Sequence, residues 1–147
     1  MKVTAENYEA LKGFGLWLVD QRLGEQLARM KPESHPRFGI EQIERLSPAQ
    51  ARKSVGMMIG DLVEETEGLN ERQLAAYDEA LKNQGLPTLS EVRGQFSRRI
   101  RAIMKHDLIR SDDDYYALRN VADALPNGDR ERAWAMLDSY MMAGGDQ

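Results

Sequence analysis

Apolar residues recur at intervals of three and four along almost the whole chain, which is the spacing of one face of an α-helix. No segment alternates apolar and polar residues for long enough, or with enough β-branched residues, to predict a strand. The pattern therefore predicts an all-α fold, an irregular bundle of about six helices with no sheet. The clearest apolar stripe lies in the stretch 89–108 and consists of Leu89, Val92, Phe96, Ile100 and Ile103.

Residues that begin and end helices divide this pattern into elements. Ser47, which is followed by proline, is typical of a helix N-cap. Thr88 and Glu91 have the spacing of a capping box, in which each side chain bonds the other's backbone amide. Ser111 precedes three aspartates, whose charge suits the positive end of a helix dipole, and Gly85 fits a helix C-terminus. These positions predict short connections between helices.

The length of 147 residues fits one domain with a buried core. No internal repeat, low-complexity tract or linker divides the sequence. We therefore expect a single helical domain over 1–147. Pro32 and Pro36 predict a loop at 31–39, and the small and polar residues of 143–147 predict a frayed C-terminus.

Composition excludes several kinds of chemistry. The chain has no cysteine, so disulfides, thiolate catalysis and cysteine-ligated metals are excluded. Its two histidines and its carboxylates form no recognisable catalytic or metal-binding constellation, so we predict no catalytic residue, no cofactor and no metal ligand and favour a non-enzymatic function. The longest apolar run, 16–19, is too short to span a bilayer, and the N-terminus lacks the apolar core of a signal peptide. We expect a cytoplasmic protein without membrane contact.

Charge is concentrated in one segment. The formal net charge is −4, so any nucleic-acid binding needs a local basic patch. The segment 93–110 has six basic residues and one acid, and on an exposed face of a helix at 89–106 they could neutralise phosphates. Alternatively, the eight acids of 61–91 neutralise this helix inside the fold. The basic residues are Arg93, Arg98, Arg99, Arg101, Lys105 and Arg110.

The first and last helices have more apolar residues than one buried face requires. The first helix has aromatic residues outside its main stripe, and the last helix is widened by tryptophan and methionine. Two glycines four residues apart share a helix face that another backbone could approach. Aromatic residues and methionine are favoured at protein interfaces, so these positions predict a homodimer or another protein contact. The residues are Phe14, Trp17, Gly56, Gly60, Trp134 and Met141.

Three functions remain open from the sequence. The favoured one is a non-enzymatic protein-interaction or regulatory module that self-associates. The alternative is a nucleic-acid-associated regulator that uses the basic helix at 89–106. A third is a carboxylate metal-binding protein, because Asp61, Glu64 and Glu65 share a helix face that could bind a hard cation. The Glu-x-x-His pairs of di-metal bundles are absent, which makes a solvated face the stronger interpretation.

Overall fold

The computed structural model describes residues 3–144, and within this range it contains eight α-helices and no strand. The predicted all-α class is confirmed, with eight helices rather than about six. Of the expected frayed end at 143–147, Ala143 and Gly144 form a turn, and 145–147 lie outside the described residues. The helices are α1 (Tyr8–Ala28), α2 (Pro36–Leu46), α3 (Pro48–Glu65), α4 (Glu71–Asn83), α5 (Leu89–Phe96), α6 (Arg98–His106), α7 (Asp112–Val121) and α8 (Asn127–Met142), with 3₁₀ turns at Pro32–Ser34 and Ala122–Ala124.

Most predicted helix ends are formed by the expected side chains. The hydroxyls of Ser47 and Ser111 each accept a hydrogen bond, at 3.2 Å, from the backbone amide three residues later. Thr88 and Glu91 form the reciprocal capping box. Gly85 follows α4 with a φ of +72°, a left-handed conformation that glycine adopts without steric cost. Local capping chemistry therefore sets these boundaries.

The loop expected at 31–39 is shorter than its prolines suggested. Pro32–Ser34 form a 3₁₀ turn, and α2 already begins at Pro36. His35 is the N-cap, and its Nδ1 accepts a hydrogen bond from the backbone amide of Arg37 at 2.9 Å. Histidine is not among the preferred N-cap residues, so the sequence pattern did not signal this helix start.

The described chain divides into two compact units, and the one-domain organisation stays a prediction. The first unit contains the residues up to Gly68 together with Ala80–Pro87. In it, α3 packs against both α1 and α2. Gly15 of α1 contacts Met58 of α3 so closely that a Cβ would overlap the methionine side chain. The buried apolar residues are Val3, Leu11, Phe14, Leu16, Leu18, Val19, Ile40, Ala51, Val55, Ile59, Leu62, Val63 and Leu81.

The second unit contains Leu69–Glu79 and the residues from Thr88 onward. Helix α7 packs against α5, α6 and α8, so it lies at the centre of these contacts. Within 3–144, no helix has both the length and the apolar character needed to cross a bilayer. The main core cluster of the second unit is Ile100, Ile103, Leu118, Val121, Ala122, Leu125, Ala133 and Leu137.

Candidate functional site: the cationic face of helix α6

The predicted single helix at 89–106 is wrong, because the backbone leaves the helical conformation at Ser97. Ser97 has φ −68° and ψ 125°, and it ends α5 and begins α6. Its amide donates to the carbonyl of Arg93 at 2.9 Å, and its hydroxyl accepts from the amide of Ile100 at 3.3 Å. Serine is a strong N-cap, and Gly94 lowers the helix propensity just before it. The basic residues are therefore divided between two helices and the loop that follows.

Two of the six predicted basic residues lie outside α6. Arg93, in α5, is only 8% exposed, so it is not available to a phosphate backbone. Arg110 is exposed in the loop between α6 and α7, and its amide donates to Asp114 Oδ2 at 3.2 Å. The four remaining residues belong to α6.

Helix α6 has one apolar and one cationic side. Ile100 and Ile103 are 2% and 3% exposed and anchor the helix in the core cluster. The opposite side is exposed and forms an open surface depression. Three cations at positions i, i+3 and i+7 surround one alanine there, which is the spacing of a single helix face. We call this surface the cationic face; it consists of Arg98, Arg101, Ala102 and Lys105.

The charges of the cationic face are only partly neutralised by the protein. Arg101 and Lys105 have no carboxylate within 4.0 Å among residues 3–144. Arg99, at the edge of this face, has its Nε 3.6 Å from Asp114 Oδ1. Internal neutralisation therefore accounts for Arg99, whereas Arg101 and Lys105 extend into solvent.

The position of the arginines also opposes helix stability. Arg98 and Arg99 lie in the first turn of α6, and this turn has no acidic residue. Positive charge at a helix N-terminus is unfavourable, because the helix dipole is positive there. Helix stability alone therefore does not explain why these two residues are basic.

The C-terminal end of α6 is fixed by a side chain from α8. Asp107 follows α6 with φ 49°, and one guanidinium nitrogen of Arg132 donates to both Met104 O and Asp107 Oδ1, each at 2.6 Å. The other terminal nitrogen of Arg132 donates to Asp129 at 3.2 Å. The hydrogen bond to Asp107, followed by its negative charge, raises the pKa of Arg132 above its usual value. The cationic face therefore lies on a helix that is anchored at its end as well as along its buried side.

The six predicted interface residues are divided between the two units. Four belong to the first unit and two to α8 in the second. Phe14 is fully buried, and Trp17 is half-buried. A Cβ on Gly56 would contact Val3, whereas one on Gly60 would meet no atom within 4 Å.

The two predicted interface residues of α8 are exposed. Trp134 is 37% exposed, and its indole nitrogen donates to Asp123 at 2.9 Å. Met141 is 60% exposed and Met142, beside it, 88%. Of the predicted interface positions, Met141 is the most exposed large side chain.

The carboxylates considered for metal binding remain on the surface of α3. Asp61, Glu64 and Glu65 are all exposed. Across residues 3–144, no group of three or more histidine, aspartate or glutamate side chains has the arrangement needed to hold a metal ion. The geometry therefore adds no support to the metal-binding alternative.

A second charged cluster, which the sequence did not indicate, connects α1 and α2. Glu44 accepts hydrogen bonds from Lys12 Nζ at 2.9 and 3.0 Å and from the Tyr8 hydroxyl at 2.9 Å. The Lys12 hydrogen bond is the main reason that the pKa of Glu44 is lowered, with Tyr8 adding to it against the effect of burial. Burial, then the hydrogen bond to Glu44, raises the pKa of Tyr8. All three polar groups in this cluster have partners, so it acts as a structural clamp.

Comparisons of the chain with protein-family models, with curated proteins and with solved structures found no match. The functional argument therefore rests on the geometry and charge of the described residues.

Proposed function

We propose that this protein is a non-enzymatic helical module that binds the phosphate backbone of nucleic acid through the cationic face of α6. The observation that carries this proposal is the exposure of Arg101 and Lys105 with no carboxylate within 4.0 Å among the described residues. Cations in this state can exchange their counterions for phosphates, which is the main source of sequence-independent affinity for nucleic acid.

The length of the cationic face fits a few phosphates. With a rise of about 1.5 Å per residue, the positions of Arg98 and Lys105 lie about 10.5 Å apart along α6. One strand of a DNA duplex has a phosphate about every 3.4 Å along its axis. The three cations therefore match a stretch of about three phosphates.

The arginines and lysine of this face can bind phosphates, and in the major groove the same side chains could also pair with guanine. The residue between the cations is Ala102, which has no hydrogen-bonding group. Asparagine and glutamine, which pair with adenine in the major groove, are absent from the face. Binding that rests on phosphates positions a protein without selecting a sequence.

Salt dependence tests this function directly. We expect the wild-type protein to bind a short, fluorescently labelled DNA duplex with a slope of log K against log[salt] of about −2.7, from three phosphate contacts. Between about 50 and 200 mM salt, this slope corresponds to a roughly 40-fold loss of affinity. Fluorescence anisotropy over this salt range measures both quantities.

A matched pair of double variants separates the cationic face from overall charge. The variant Arg101→Ala plus Lys105→Ala should have a slope of about −0.9, because one contact remains. The control Arg45→Ala plus Lys53→Ala removes the same charge from exposed positions on α2 and α3 and should bind like the wild type. Absence of wild-type binding at low salt, or an equal loss in both variants, would contradict the proposal.

Self-association is the second candidate function, and the exposed methionines at the end of α8 favour it. Met141 and Met142 are 60% and 88% exposed, and methionine is over-represented at adaptable binding surfaces. Sedimentation equilibrium should then give a mass above that of one chain, and Met141→Glu should reduce it. A single-chain mass at high protein concentration would argue against a homodimer.

The cytoplasmic location stays a prediction.

A further inference from the structure

We infer that Asp114 limits the number of phosphates that α6 can bind, because it holds Arg99 in an ion pair at the edge of the cationic face. This inference rests on the proposed function and adds a regulatory residue to the same site. Arg99 follows Arg98 in α6 and flanks Ala102 on the helix surface, so a released Arg99 would extend the cationic face by a fourth cation.

Arg99 is held only weakly in this ion pair. The distance of 3.6 Å between Arg99 Nε and Asp114 Oδ1 is longer than a hydrogen bond. The Arg99 side chain is 44% exposed, so solvent and phosphate can both reach it. Such an exposed ion pair contributes little to the free energy of folding. A phosphate can therefore replace Asp114 as the partner of Arg99.

The other side of the pair is fixed. The Asp114 side chain is only 16% exposed, and its Oδ2 accepts a hydrogen bond from the amide of Arg110 at 3.2 Å. The amide of Asp114 is itself bound by the N-cap hydroxyl of Ser111. Asp114 therefore stays in place, and its negative charge opposes the approach of a phosphate to Arg99. In this arrangement the carboxylate competes with nucleic acid for one arginine.

The substitution Asp114→Asn removes the competing charge and keeps an oxygen for the Arg110 amide. Release of Arg99 adds one phosphate contact, so the salt slope should steepen from about −2.7 to about −3.6. The same additional contact should tighten duplex binding roughly tenfold at about 50 mM salt.

The neighbouring residue offers a matched control. Asp113 is exposed in the same turn of α7, and its side chain has no hydrogen bond or ion pair among residues 3–144. Asp113→Asn changes the net charge by the same amount, so it measures the general electrostatic effect. We expect its salt slope to equal that of the wild type.

The substitution Arg99→Gln tests the mechanism without altering Asp114. Because Asp114 already neutralises part of the Arg99 charge in the wild type, Arg99→Gln alone should change the salt slope by much less than the value of about 0.9 expected for one full phosphate contact. In the double variant with Asp114→Asn it should abolish the tenfold gain. A thermal melt of each variant checks that the fold is retained.

The outcomes distinguish this inference from the function on which it rests. A steeper slope for Asp114→Asn than for Asp113→Asn, lost on adding Arg99→Gln, supports the inference. Equal salt slopes for Asp114→Asn and Asp113→Asn would overturn the inference, and so would a gain in duplex affinity that persists when Arg99→Gln is added. In either case, duplex binding by the wild type would still support the proposed function. Absence of duplex binding by the wild type and by Asp114→Asn overturns both.

Discussion

The two charged clusters of this protein differ in how far its own side chains satisfy them. In the clamp between α1 and α2, Lys12 and Glu44 are 17% and 28% exposed and lie 2.9 Å apart. On α6, Arg101 and Lys105 are exposed and have no carboxylate within 4.0 Å in the described chain. Charge that is paired and half-buried stabilises a fold, whereas charge left in solvent is available to a ligand. This difference, more than the number of basic residues, marks the candidate site.

The largest expected effect concerns the apolar side of α6, which holds the cationic face in place. Ile103→Ala removes a side chain that is 3% exposed and leaves a cavity in the core cluster, so the free energy of unfolding should fall by about 2–4 kcal/mol. Urea unfolding followed by circular dichroism measures the change. As a control, Leu108→Ala truncates a side chain that is 48% exposed and should cost less than about 1 kcal/mol. Equal losses would mean that α6 is not anchored as described.

The next effect concerns the clamp. Glu44→Gln removes the charge that pairs with Lys12 and should lower the free energy of unfolding by about 1–2 kcal/mol, since hydrogen bonds to charged groups are the stronger ones. Glu41→Gln removes a carboxylate from an exposed position of the same helix and should change it by less than about 0.5 kcal/mol. If the two variants unfold alike in urea, the clamp contributes no more than an exposed carboxylate.

The clamp should also respond to acid. The pKa of Glu44 is lower in the folded protein than the usual value of about 4.3, so its stabilisation is fully present above that pH. It is lost as the pH falls through the lowered pKa, because protonated Glu44 no longer pairs with Lys12. Urea midpoints of the wild type and Glu44→Gln should therefore differ at neutral pH and converge in this acidic range. A difference that grows on acidification would contradict this sign.

The smallest expected change in stability concerns the exposed cations of α6. Arg101→Ala plus Lys105→Ala should change the free energy of unfolding by less than about 0.5 kcal/mol, because neither cation is paired within the described structure. A large loss of stability on urea unfolding would show that these residues belong to the fold, as Lys12 does.

Local signals predicted much of the fold. The caps at Ser47, Thr88 and Ser111 and the glycine after α4 lie where the sequence placed them. The burial of Ile100 and Ile103 follows from spacing along one helix face. These features depend on a few neighbouring residues, which is why one sequence suffices to predict them.

The remaining features depend on details that spacing does not contain. The interval from Val92 through Phe96 to Ile100 continues at helical spacing across the break, so the pattern gave no sign of Ser97 as a boundary. Arg93 is buried in the fold, which spacing alone did not predict. The contact between Lys12 and Glu44 joins residues far apart in sequence, which no local periodicity encodes.

The most direct test of the account is a titration of the ¹⁵N-labelled protein with a short DNA duplex, followed by amide chemical shifts at low salt. We predict that the largest shifts fall on Arg98, Arg101, Ala102 and Lys105 and that the amides around Lys12 and Glu44 stay unchanged. Shifts that are absent from α6, or that centre on the clamp between α1 and α2, would contradict the claim that the solvent-facing cations of α6 define the binding surface.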